Sequence, residues 1–143
     1  ADLIIFSSGS LLTSITPHLI NKTLNNAIKK AAAKKLYICN LFTQPGETDN
    51  FKVSDHIKWL EKYLGKNTIN IVLANNKKLD NNLVNIYQTQ EQKDPVILDI
   101  NTLNTMNIEV ISDNLAKVED GVYRHDALKT AYLIFSYLMD CEK

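Results

Sequence analysis

The stretch that decides the fold is LYICNLFTQPGETDNFKVSDHI, residues 36–57. Leu36-Tyr37-Ile38-Cys39 is a continuous apolar run, the pattern of a parallel strand covered on both faces. Val53-Ser54-Asp55-His56-Ile57 opens a helix with Ile57, Leu60 and Leu64 on its apolar face. Ser54 is the expected N-cap and Gly65 the expected C-terminal cap. Between strand and helix, residues 40–50 form a loop longer than a bare connection needs. Pro45-Gly46 suits a type II turn, because Pro fixes φ and Gly accepts the positive φ that follows. A strand-to-helix loop sits at the carboxyl edge of an α/β sheet, where such sheets bind ligands.

Working outward, strand and helix patterns alternate. Leu3-Ile4-Ile5-Phe6 reads as a first strand. Thr16-Pro17 predicts a helix start, with Ile20, Leu24, Ala27, Ile28 and Ala31 along one face. Residues 69–74 predict a third strand, 81–89 a weaker helix, and 96–98 and 108–111 short strands. Asp120-Gly121 predicts a hairpin turn within residues 117–123. A last helix is expected over residues 126–139. It is apolar nearly all round, as for a helix buried in the core or packed on further chain or a second subunit. The expected fold class is therefore α/β: residues 1–143 as one domain, with a three-layer, Rossmann-like, mostly parallel sheet flanked by helices.

Composition limits the partners. The chain has 143 residues, 16 basic and 16 acidic side chains, and no formal net charge. No Lys/Arg stripe with interleaved aromatics is present, so a nucleic-acid partner is not expected. No apolar run has the length of a membrane span. Two cysteines, Cys39 and Cys141, do not make a disulfide framework, and a reducing cytoplasm is the expected compartment. The chain has no initiator Met and enters a strand almost at once, as a truncated or processed piece would. A homo-oligomer, or contact with a further half of the protein, is expected on that reading.

Several segments carry candidate chemistry. Ser7-Ser8-Gly9-Ser10 follows a strand and can cradle an anion or form an ordinary turn; it matches neither a Walker A loop nor a nucleophile elbow. In the 40–50 loop, Asn40, Thr43 and Gln44 can recognise a base, a sugar hydroxyl or a phosphate. Glu47 and Asp49 can hold sugar hydroxyls or Mg²⁺ beside a phosphate, or cap the next helix. His18, His56 and His125 lack metal-ligand spacing. Arg124 can grip a diphosphate or carboxylate with its planar fork, or lie idle on the surface, while Asp126 is a ready N-cap. Tyr87 can stack on a base or fill the core.

Three segments in order resemble the gluconeogenesis-factor proteins, a bacterial branch of the CofD-like superfamily named after 2-phospho-L-lactate transferase. They are SSGSLLTSITPHL (7–19), TQPGETDN with VSDHIKWLEKYLG (43–65), and VEDGVYRHDALK (118–129). The resemblance covers the C-terminal half of that family's length. It implies that Gly9, Ser10, Thr13, Asn40, Thr43, Gln44, Glu47, Tyr87 and Arg124 contribute to ligand binding. It also implies a nucleotide-sugar (UDP-sugar type) binding regulator of carbon metabolism and of cell wall and cell shape, with no established reaction and no identified catalytic residue. The other branch implies a phosphoryl-type transferase using a guanine nucleotide and Mg²⁺. No cofactor beyond Mg²⁺ accompanying a nucleotide is implied.

Overall fold

The computed structural model describes residues 1–141. Its sheet has strands β1 (Leu3–Phe6), β2 (Lys34–Ile38), β3 (Ile71–Asn75) and β4 (Glu109–Asp113), in the order β1-β2-β3-β4. Every pairing is parallel, with Ile5 opposite Leu36, Leu36 opposite Ile71 and Ile71 opposite Glu109. This is the expected α/β fold, first strand beside second.

Sequential order has a consequence. Right-handed crossovers that always step the same way deliver their helices to the same face. Helices α1 (Thr16–Ile20), α2 (Lys22–Lys30), α3 (Val53–Leu64) and α5 (Ile100–Thr105) accordingly pack together, sharing one core with Tyr37, Cys39, Val72 and Ala74. The alternate strand residues Leu36, Ile38, Ile71 and Leu73 point the other way. There they meet Leu133, Ile134 and Tyr137 of α6 (Ala127–Cys141), which supplies the third layer. The remaining helix α4 (Asn81–Glu91) and the antiparallel hairpin β5 (Ala116–Glu119)–β6 (Val122–His125) complete the chain.

Local details follow from sequence. Gln44-Pro45-Gly46-Glu47 closes a turn through the Glu47 N–H donated to the Gln44 carbonyl at 3.0 Å, and Gly46 takes φ +76°. Gly65 ends α3 at φ +98°. Asp126 caps α6 by accepting the Lys129 N–H at 3.0 Å. The Asp120-Gly121 turn has φ 51° and 76°, as a two-residue hairpin of this hand requires.

Four expectations are corrected. The helix expected from Thr16 is interrupted: residues 11–15 form a π-helical turn, and α1 stops at Asn21, whose side chain accepts the Leu24 N–H and restarts the chain as α2. That reset shifts the helical phase, so Leu19, Asn25 and Ile28 face the core while Ile20 and Leu24 are exposed. Residues 96–98 are not a strand. They follow Pro95, whose only bridge is to Phe42, and lead into α5, which the sequence reading omitted. Ser54 is not the cap of α3. The helix begins two residues earlier, at Val53 with Lys52 in the cap position, Asp55 accepts the Lys52 N–H, and the buried Ser54 hydroxyl donates to Asp99 at 2.6 Å. Finally, α6 is not enclosed in the core: one side is covered, while Leu128 is 83% exposed and Tyr132, Phe135 and Met139 also face outward, so of the two readings of this helix only the core one is overturned. Cys39 is a buried free thiol, and the side chain of Cys141 lies outside the described residues.

Candidate functional site

Because all strands run parallel, the loops after β1 and β2 leave the same edge, and the hairpin returns the chain there after β4. The three segments meet. Asn40 joins the first two directly: its Oδ1 accepts the Gly9 N–H at 3.3 Å and its Nδ2 donates to the Gly9 carbonyl at 2.9 Å. Ser10 adds a second tie, donating to both carboxylate oxygens of Glu47 at 2.8 and 3.0 Å. Thr13 donates its hydroxyl and its N–H to the Ser10 oxygen. The third segment is pinned by His125, whose Nε2 lies 3.0 Å from the Cys39 carbonyl and whose Nδ1 lies 3.5 Å from Ser8 Oγ.

These contacts surround a cavity of about 400 Å³, within the range of small-ligand sites. Gly9, Asn40, Thr43, Gln44, Tyr87 and Arg124 line it, together with Ser8, Phe42, Lys93, Tyr123 and His125. Ser10, Thr13 and Glu47 do not line it; they form the neighbouring hydroxyl–carboxylate cluster that holds two loops together.

The predicted residues divide by what is left free. Asn40 spends both amide ends on Gly9, and the Gly9 N–H is spent in return. Thr43 is buried; its hydroxyl accepts the Asp94 N–H at 2.9 Å and its own N–H donates to the Asp94 carbonyl at 2.8 Å. Tyr87 is buried with its ring stacked on Phe42 at 4.4 Å, and its hydroxyl accepts the Tyr123 N–H. Gln44 differs. Its backbone N–H donates to Thr48, but its side-chain Oε1 is buried and has no donor. An acceptor sealed in that way costs free energy until a partner arrives. Arg124 is exposed and makes no ion pair among the described residues, so its guanidinium is free for an anion. Asp49 accepts the Gly46 N–H within the turn rather than capping α3.

Sequence reading did not single out Phe42, Lys93 and Tyr123. Phe42 stands in an aromatic cluster with Tyr87 and Tyr123. Burial holds the His125 imidazole below its usual pKa, offset by the bond to the Cys39 carbonyl, so the ring is neutral at pH 7. A carbonyl only accepts, so Nε2 carries the ring proton and Nδ1 presents its lone pair to Ser8.

An open parallel α/β sheet with its loops gathered around a polar cleft at the carboxyl edge defines a class of ligand-binding domains. Within it, the chain belongs to the CofD family: the profile described as 2-phospho-L-lactate transferase CofD matches residues 1–116. A gluconeogenesis factor of Bacillus subtilis is 39% identical over 140 residues, covering 98% of this chain and 44% of that protein. Another, of Listeria innocua, is 36% identical over 138 residues, covering 96% of this chain and 42% of the relative. The crystal structure of a UPF0052 family member from Bacillus halodurans superposes with a TM-score of 0.88 at 35% identity, covering 94% of this chain and 43% of that one. The chain thus spans less than half the length of these relatives. No described helix is long and apolar enough to cross a membrane.

Proposed function

We propose that the cleft binds a nucleotide sugar of the UDP-sugar type, and that the whole protein uses this binding to regulate carbon metabolism and cell-wall or cell-shape control. The observation that carries the reading is that Gln44, whose buried Oε1 lacks a donor, and Arg124, which makes no ion pair among the described residues, line one cavity. A base or sugar offers the N–H or O–H that Gln44 lacks. A diphosphate offers the oxygens that a guanidinium fork takes in pairs. Tyr123 and Phe42 add flat apolar surface beside them.

Magnesium does not fit as a protein-held ion here. The carboxylates near the cleft are committed: Glu47 to Ser10, Glu91 to Lys93, and Asp94 to Gln88. No group of three His, Cys, Asp or Glu side chains suited to a metal occurs among the described residues.

The test is a thermal-shift titration of the complete protein with UDP-sugars, GDP and NADP. Gln44→Ala is expected to weaken UDP-sugar binding by about 1–3 kcal/mol, the scale of a buried hydrogen bond left unpaired, while the unliganded melting temperature stays put. A shift with GDP alone would favour the transferase reading. A drop in stability without loss of affinity would make Gln44 structural.

A further inference from the structure

We propose that Ser8 and His125 form a nucleophile–base pair, and that the cleft therefore performs group transfer on phosphate esters rather than binding alone. Three observations bear on it. Ser8 Oγ and His125 Nδ1 face each other at 3.5 Å across 117 residues of sequence, and both line the cavity. The opposite ring nitrogen is bonded to the Cys39 carbonyl at 3.0 Å, which fixes both tautomer and ring orientation. That is the logic of a serine–histidine pair with a backbone carbonyl in the orienting position. The 3.5 Å separation suits an unliganded site, whose catalytic hydrogen bonds shorten when substrate arrives. Third, Arg124 lines the same cavity and makes no ion pair among the described residues, so an anion such as a phosphate oxygen is the charge it can take.

The reaction balances with the groups present. Ser8 Oγ attacks phosphorus while its proton passes to His125 Nδ1. The bond from phosphorus to the leaving oxygen breaks, that oxygen departs with the electron pair, and His125 Nδ1 passes its proton to the leaving oxygen or to water, which returns the imidazole to its neutral form. Water then attacks the phosphoserine ester, giving a proton to the imidazole. The bond from phosphorus to Ser8 breaks, and Oγ recovers a proton from Nδ1. The net change is hydrolysis of one phosphate ester bond, with no oxidant or further co-reactant. This chemistry does not depend on the nucleotide-sugar reading. A site that binds no UDP-sugar can still carry the pair, and a site that binds one can lack turnover.

The probe is bis(p-nitrophenyl) phosphate, a small activated phosphodiester, added to the complete protein. The expected result is release of p-nitrophenolate with a covalent adduct mapped by mass spectrometry to Ser8. Ser8→Ala abolishes adduct and release, and Ser7→Ala, one residue away on an exposed side chain, retains both. His125→Gln slows adduct formation by roughly 10²-fold or more, the usual contribution of a positioned general base. Release at the rate of buffer alone, with no adduct on Ser8, overturns the proposal. So does an adduct that forms equally fast in a folded His125→Gln protein, because His125 would then be only a structural pin. If His125→Gln fails to fold, the unmodified protein and Ser8→Ala decide the matter, since Ser8→Ala leaves the bond from His125 to Cys39 in place.

Discussion

Asn40→Ala tests whether the cleft is built by the protein or by its ligand. The side chain makes two hydrogen bonds to one residue, at 2.9 and 3.3 Å, both partly buried. A typical intramolecular hydrogen bond contributes about 0.5–1.5 kcal/mol net, and the longer of these two belongs at the low end. Removing both costs about 1.5–2.5 kcal/mol. Partial solvent access keeps the loss below that of a fully buried orphan. For a domain of this size each kcal/mol moves the melting temperature by roughly 3–4 °C, so the expected drop is about 5–9 °C. Asn40→Asp sharpens the test. It keeps an acceptor for the Gly9 N–H but turns a second acceptor toward the Gly9 carbonyl, so it should be no more stable than Asn40→Ala. Scanning calorimetry and urea titration without ligand give the answer. If Asn40→Ala melts with the parent protein and loses only ligand affinity, Asn40 faces the ligand, and the stitching of the loops must lie elsewhere.

Burial lowers the pKa values of His56 and His125 from their usual 6.5. The unfolded chain therefore binds more protons than the folded one below pH 6.5, and stability present above that pH is lost as pH falls, by at most about 1.4 kcal/mol per pH unit for each imidazole. His56 is the stronger case because its Nε2 is buried without a partner, and a flat urea midpoint between pH 7 and pH 5 would refute the argument. Phe42→Ala removes the ring stacked on Tyr87 and tilted against Tyr123; about 1–3 kcal/mol should be lost, with faster proteolysis in the hairpin, and unchanged protection there would exclude the coupling. Leu60→Ala, fully buried beneath the sheet, should cost about 2–5 kcal/mol, whereas Leu128→Ala on the open side of α6 should stay within about 0.5 kcal/mol. A large loss from Leu128→Ala in the complete protein would mean that this apolar side is covered there.

What was legible in the sequence was local. The 36–57 stretch carries its own signals: an apolar run, Pro-Gly, then an amphipathic period. Strand, turn and helix all appear where those signals place them. Asp120-Gly121 announced its hairpin in the same way. The break at Asn21 was harder, because one capping side chain outweighs an apolar period running across it. Residues 96–98 have strand composition, but strand pairing needs a neighbour, and only Phe42 to Pro95 is bridged. In the site, the residue types were legible and their roles were not. Asn40 and Gln44 lie four positions apart with the same functional group. One is saturated by Gly9 and the other is left with a bare oxygen, a difference set by contacts 31 residues away.

The hairpin explains why those roles converge. Three parallel strands ending at one edge would leave their loops side by side but mechanically independent. The chain instead turns back after β4. The Asp126 N–H donates to the Leu115 carbonyl at 2.7 Å, the Leu115 N–H donates to Asn75 at the end of β3, and the Tyr123 hydroxyl accepts the Asp80 N–H. One short hairpin thereby touches the loop ends of β1, β2 and β3, and the His125 ring spans the first two. A displacement of the hairpin changes the distance from Ser8 to His125 and the width of the cleft together, since both are set by the same imidazole. Ligand seated against Arg124 and Tyr123 would push on that hairpin directly. The hairpin leads through Asp126 straight into α6, so a displaced hairpin carries the start of that helix with it.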